Sequence, residues 1–229
     1  MHIRSQELNA DILAAYYKNI FLLAEKFQKA NKNTLEFINM GSGMGIQYSA
    51  KDVPLDTELL GKMVNEHVKT FSALHPETKI IIEVGRYAVG KSGVYVTTVL
   101  DKKVSYGKTY LILKNTLNGF IRPSLAKLVA KYTSETAPVA SEPLFTCKDA
   151  FEFLTLKEEL NFEKVTLVGN LCTATDVIMD DIMLPHLECG DTVIITNAGS
   201  YAAVLSPMQF SSQEKPAELF MTRNGEIFS

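Results

Sequence analysis

Three short groups of residues in this chain of 229 could do chemistry together. His2 and Ser5 stand just ahead of the first long helical pattern; Gly41, Ser42, Gly43 and Gly45 follow a strand-like run; Glu83, Gly85 and Arg86 close another. Glycines let backbone N–H groups approach a phosphate closely, and an arginine adds a two-pronged clamp for the same anion. The set describes an anion site with a carboxylate beside it. Each part has a plainer explanation when taken alone: a glycine-rich stretch as an ordinary turn, Glu-x-x-Arg as a surface ion pair, His2 as a frayed terminus. Their combination carries the signal.

The elements around these groups place them at one end of a sheet. Ile12, Leu13, Tyr16, Ile20, Leu23, Ala24 and Phe27 form one stripe of a helix over about 8–30. Residues 34–40 (TLEFINM) predict a buried strand running into GSGMG, and 56–74 a second helix whose first turn Asp56 or Thr57 caps. Residues 79–84 (KIIIEV) predict a further strand. Alternation of this kind signals βα units around a parallel sheet, where functional groups gather at the carboxyl ends of the strands. From about Gly93 the runs GVYVTTVLDKKV, KTYLILKN, KVTLVG, DTVIITNA and AELFMTRNGEIF are short, β-branched and divided by turns, with one helical-looking interlude over 148–160. These predict an antiparallel β domain, with domain limits of 1–92 and 93–229. Two βα units leave a parallel sheet with bare apolar faces, whereas closing a parallel barrel takes eight strands and about 250 residues. The expectation is therefore the tail of a longer chain.

Composition narrows the function classes. With 23 Lys+Arg against 26 Asp+Glu, a net charge of -3 and no basic run, the chain lacks the footprint of a phosphate-backbone binder, so nucleic acid is not the expected partner. No apolar stretch approaches the ~20 residues of a membrane span and no signal-peptide core follows Met1, so no membrane partner and a cytoplasmic location are expected. Cys147, Cys172 and Cys189 show no CxxC spacing, which points to neither a disulfide framework nor a zinc cluster; no metal is expected.

Six ordered motifs resemble those of the pyridoxal-phosphate-dependent decarboxylases of the alanine-racemase-like fold (fold type III), which include the diaminopimelate, ornithine and arginine decarboxylases. HIRSQ is similar to the family's HxGSQ, NMGSGMG to its GGGxG phosphate loop, EVGRY to EPGRY, and FIRPSL to the IRPALY of diaminopimelate decarboxylases, the nearest well-known relatives. VGNLCTATD resembles G-x-x-C-x-x-x-D, and NAGSY resembles DAGAY. The fold implied is α/β plus all-β: part of a (β/α)8 TIM-type barrel followed by a C-terminal antiparallel β domain, present here as a C-terminal portion. The cofactor implied is pyridoxal 5'-phosphate, the substrate a small amino acid, and the assembly a homodimer with shared active sites.

The resemblance also implies roles. Glu83 keeps the pyridine nitrogen protonated, a role the charge of a carboxylate suits. His2 stacks on the ring; Ser5, the amides of Gly41, Ser42 and Gly43, Arg86 and the Tyr201 hydroxyl receive the phosphate. Cys172 donates a proton, Asp176 meets the substrate, and both act in the partner subunit's site. Arg122 takes a substrate carboxylate. Plainer readings are a half-buried β-domain tyrosine for Tyr201, a small buried hydrophobe for Cys172, and a surface turn for Arg122. Cys147 and Cys189 match no motif and are expected to be structural.

Four departures qualify the match. The lysine that carries the cofactor in the family would fall upstream of Met1, and neither Lys51 nor Lys79 is placed to replace it, so turnover by this chain alone is expected to be minimal. Arg4 stands where the family has glycine. Thr173 follows the cysteine where an acidic residue holds the substrate's distal amine, and Ala126 replaces the tyrosine of IRPALY. Loss of two polar partners argues against a plain diaminopimelate site and toward a carrier-bound or siderophore-precursor amino acid. The rival expectation is a non-catalytic module that binds pyridoxal phosphate or dimerises.

Overall fold

The computed structural model describes residues 5–132, 149–158 and 161–229. The chain divides between Gly93 and Val94 into two compact units. Among the described residues, no helix is long and apolar enough to cross a membrane.

The first unit runs α1 (Ala10–Asn31), β1 (Phe37–Asn39), α2 (Thr57–Leu74), β2 (Lys79–Ile81) and α3 (Gly85–Val89). Asn9 starts α1 by accepting the Ile12 amide at 3.2 Å, and Lys32 ends it at a left-handed φ of 54°. Asp56 caps α2 by accepting the Leu59 amide at 2.8 Å. Strands β1 and β2 pair in parallel, Ile38 opposite Ile80. The core joins Leu13, Tyr17, Ile20, Phe21 and Ala24 of α1 to Ile38, Met40, Leu60 and Phe71. This differs from the predicted stripe: Ile12, Leu23 and Phe27 are exposed, while Tyr17 and Phe21 are buried. A helix with apolar residues on more than half its circumference can bury either flank, and the Phe21–Phe71 ring contact at 5.1 Å shows which flank meets α2.

The second unit contains β3 (Tyr95–Ser105), β4 (Lys108–Leu113), α4 (Arg122–Tyr132), β5 (Phe153–Thr155), β6 (Phe162–Gly169), β7 (Val177–Pro185) and β8 (Thr192–Ile195). Two short 3-10 turns and a hairpin of β9 (Phe220–Met221) with β10 (Ile227–Phe228) follow. Six strands form one sheet in the order β5-β8-β3-β4-β6-β7. Tyr106 and Gly107, at φ 48° and 75°, turn β3 into β4 through a two-residue loop whose twist suits a hairpin.

Two expectations and one plainer alternative are corrected here. The sheet is not wholly antiparallel: β4 and β6 run parallel, because the connection between them crosses over and includes α4. The helical interlude expected over 148–160 holds a strand, β5, paired with β8. Phe151 and Phe153 are buried while Glu152 and Leu154 are exposed, a period of two rather than 3.6. Arg122 does not sit in a surface turn but opens α4, with Pro123 in the first helical turn where its missing N–H costs nothing.

Candidate functional site

In the first unit the site is built on the loop that leaves β1. Gly41 and Gly43 take φ of 66° and 71°, left-handed values that glycine adopts without a Cβ penalty. Neighbours clamp this loop from three directions. The N-terminal segment runs beside it: Glu7 N–H donates to Gly43 O, Gly45 N–H donates to Glu7 O, both at 2.9 Å, and the Gln6 side chain bonds both the N–H and the C=O of Ile46. Half-buried Ser5 is thereby carried alongside the loop's segment of chain. From α1, Tyr16 donates to Met40 O at 2.7 Å and Tyr17 to Ser42 O. Burial pushes the Tyr17 hydroxyl above its ordinary pKa, which keeps it protonated as a donor.

The third clamp comes from the end of β2. Glu83 N–H donates to Gly41 O at 2.7 Å, while the Asn39 side chain donates to Glu83 Oε1 at 2.7 Å and accepts from Gly41 N–H at 2.8 Å. Glu83 itself is exposed. The Gly41 amide is thus committed to Asn39, and the Ser42 and Gly43 amides have no acceptor among the described residues. Arg86, in the first turn of α3, is buried; its Nη1 donates to the Tyr48 hydroxyl at 3.2 Å and its guanidinium lies 5.7 Å from that ring's centre. Glu83 and Arg86 therefore meet opposite ends of one loop, 41–48, rather than each other as a surface pair.

The second unit assembles another group. Arg122 is fully buried; its Nη1 donates to Ser200 O at 3.1 Å and its guanidinium faces Phe151, 5.4 Å from the ring centre. The IRPSL and NAGSY motifs are in this way tied together, with half-buried Tyr201 in a left-handed turn at φ 55°. Cys172 is exposed on the β6–β7 loop, which removes its reading as a small buried hydrophobe. Cys189, expected to be structural, is likewise exposed. Asp176 is 2% exposed and accepts from Thr116 Oγ1, Leu117 N–H and Leu171 N–H. Beside it, Tyr95 donates to Asn115 O, and burial together with the Asp176 charge pushes its hydroxyl up to about 12.

His2, Arg4 and Cys147 lie outside the described residues. The sequence reading missed Asn39, Gln6, Tyr17, Tyr48 and Thr116. Asn39 left one signal, a polar residue at the end of an apolar strand directly before a glycine loop. No group of three metal-binding side chains occurs among the described residues.

A family model described as pyridoxal-dependent decarboxylase, C-terminal sheet domain, matches residues 16–199. The chain is 30% identical over 224 residues to L-glutamyl-[BtrI acyl-carrier protein] decarboxylase of Niallia circulans, covering 96% of this chain and 49% of that protein. It is 26% identical over 221 residues to the 2-[(L-alanin-3-ylcarbamoyl)methyl]-2-hydroxybutanedioate decarboxylase of Staphylococcus aureus, covering 96% of this chain and 50% of that one. Among solved structures, a mutant diaminopimelate decarboxylase from Helicobacter pylori complexed with L-lysine superposes with a TM-score of 0.72 at 25% identity, over 99% of this chain and 49% of that one. The chain spans about half the length of the relatives it matches.

Proposed function

The chain belongs to the pyridoxal-dependent decarboxylase family, and from that premise we propose that it forms the ring-nitrogen and phosphate-holding part, together with the β domain, of a pyridoxal-phosphate-dependent amino-acid decarboxylase. In this reading the first unit is part of a (β/α)8 barrel. The observation that carries it is the Asn39 bridge, which locks the Glu83 carboxylate to the glycine loop while the next two amides stay without an acceptor among the described residues. Those amides, a nearby buried guanidinium and an exposed, oriented carboxylate fit a ligand with an anion at one end and a basic nitrogen at the other. When bound, the cofactor supplies a protonated pyridine ring that accepts the electron pair left when CO₂ departs.

This chain's residues do the rest. Glu83 holds the proton on the ring nitrogen, since a carboxylate at hydrogen-bond distance favours the charged ring. Ser5 and the Ser42 and Gly43 amides hold the phosphate, with Arg86 supplying a fixed positive charge. The resemblance adds His2 on the ring and Tyr201 as a phosphate hydroxyl; Gly41, whose amide the resemblance would give to the phosphate, instead donates it to Asn39 and serves the cradle through its left-handed turn. Cys172, whose thiol is exposed, donates a proton to the substrate carbon. Arg122 takes a substrate carboxylate, its fork held by Ser200 O and the Phe151 ring. The assembly is a homodimer in which the β domain serves the partner's site.

A second reading, a carrier-bound or siderophore-precursor substrate, is favoured by a cavity of about 400 Å³ lined by Ala126, Ser124, Phe151, Thr175 and Ile178, among others. Ala126 borders it where diaminopimelate decarboxylases carry a tyrosine, so a bulkier distal group has room.

Titration with pyridoxal phosphate, read by fluorescence and thermal shift, tests the main reading. Binding raises the melting temperature by mass action, and Glu83→Gln and Arg86→Met each weaken it. A folded chain whose melting temperature ignores the cofactor would sink the proposal and favour a purely dimerising module.

A further inference from the structure

We infer that Asp176 is a positioning residue for Cys172, holding the thiol's loop in one shape rather than meeting a ligand itself. Asp176 bonds both neighbours of Cys172. Its Oδ2 accepts the Leu171 N–H at 3.0 Å, and its own N–H donates to Thr173 O at 3.2 Å. Its carbonyl accepts the Gly169 N–H at 2.9 Å, which closes the loop at the strand ends. The other carboxylate oxygen anchors this loop to the next one, accepting from Thr116 Oγ1 at 2.6 Å and Leu117 N–H at 3.2 Å.

One residue therefore pins the backbone on each side of Cys172 while the thiol itself stays exposed. With three donors on its two oxygens and 2% exposure, the carboxylate is spent on its own chain. Such a buried acceptor is costly to disturb, because each donor it satisfies would be left without a partner. The glycine of the motif has its reason here as well. A Cβ on Gly169 would overlap Thr116 Oγ1 and the Asp176 carboxylate, so the first and last residues of G-x-x-C-x-x-x-D are one packing solution.

The catalytic consequence rests on the proposed role of Cys172 as proton donor; the brace does not. The test uses the full chain, reading amide hydrogen exchange over 169–176 and the iodoacetamide labelling rate of Cys172 against exposed Cys189 as internal reference. Asp176→Asn and Thr116→Val are expected to speed loop exchange about tenfold while β6 and β7 keep their protection. Both should raise the relative labelling of Cys172 about threefold, and Thr116→Ser, which keeps the hydroxyl, should return both readouts to within about twofold of wild type. Should Asp176→Asn fail to fold, Thr116→Val decides by the same readouts. Wild-type loop exchange and labelling in folded variants overturns the brace. The loop measurements stand for the brace whatever role the Cys172 thiol plays.

Discussion

Asn39 holds Glu83 and Gly41 with one amide group: its nitrogen donates to Glu83 Oε1 at 2.7 Å while its oxygen accepts the Gly41 N–H at 2.8 Å. A strand-end asparagine thus sets the separation between the carboxylate and the glycine loop. Asn39→Ala leaves Gly41 N–H without its acceptor and Glu83 free to turn, so pyridoxal phosphate affinity should fall about five- to thirtyfold, or about 1–2 kcal/mol. Asn39→Asp should cost more, because it sets a like charge against Glu83. An unchanged dissociation constant for Asn39→Asp in a fluorescence titration would mean that Glu83 is not the ring-nitrogen partner.

Two glycines should respond in opposite directions to alanine. At Gly45 a Cβ would lie 2.8 Å from the Gln6 carbonyl carbon, a backbone atom that cannot swing aside. Gly45→Ala is expected to destabilise by about 1–3 kcal/mol and to loosen the N-terminal segment that carries Ser5. Gly61, exposed in α2, has nothing within 4 Å of the same position. There alanine should stabilise by about 0.5–1 kcal/mol. Urea denaturation of the two variants checks both signs.

The parts of the fold set by local pattern were legible in the sequence, and those set by partners were not. Both long helices lie within two residues of their expected limits because apolar periodicity fills them and Asp56 marks the start of α2. β5 was misread because FEFLTL is short enough to fit either period until β8 provides a neighbour. The parallel pairing of β4 with β6 depends on where a crossover lands, which no window of residues records. At the site, motif residues could be named but not their holders. Asn39 and Thr116 reach carboxylates 44 and 60 positions away, separations that carry no periodic signature.

Asp191 offers a test on the acid side. It accepts the Glu188 N–H at 2.6 Å and the Lys157 ammonium at 2.7 Å, and these, the backbone bond first, hold its carboxyl below the ordinary range. A depressed folded-state pKa contributes stability that is present above the unfolded value, about 3.9, and is lost as pH falls through the folded one. Asp191→Asn should therefore be less stable than wild type near neutrality, with the gap closing below about pH 4. Parallel denaturation curves at all pH values would show that the carboxylate is fully screened by solvent.

Tyr95 provides the matching test at high pH. Burial, then the Asp176 charge, raises its hydroxyl from 10.0 to about 12, so the folded chain holds this proton more tightly than the unfolded chain does. The linked stability is complete below pH 10 and is lost as pH rises through about 12. Tyr95→Phe removes the ionisation and also the bond to Asn115 O. The variant should be less stable at pH 8, yet its stability should fall less steeply than that of wild type above pH 10. Because Tyr95 lies close enough to feel the Asp176 charge, Asp176→Asn should lower its folded-state pKa and bring the end of the alkaline limb to lower pH. A limb that stays in place in that variant would mean that the carboxylate does not share the Tyr95 environment, and with it would go the account of how the β6–β7 loop is anchored.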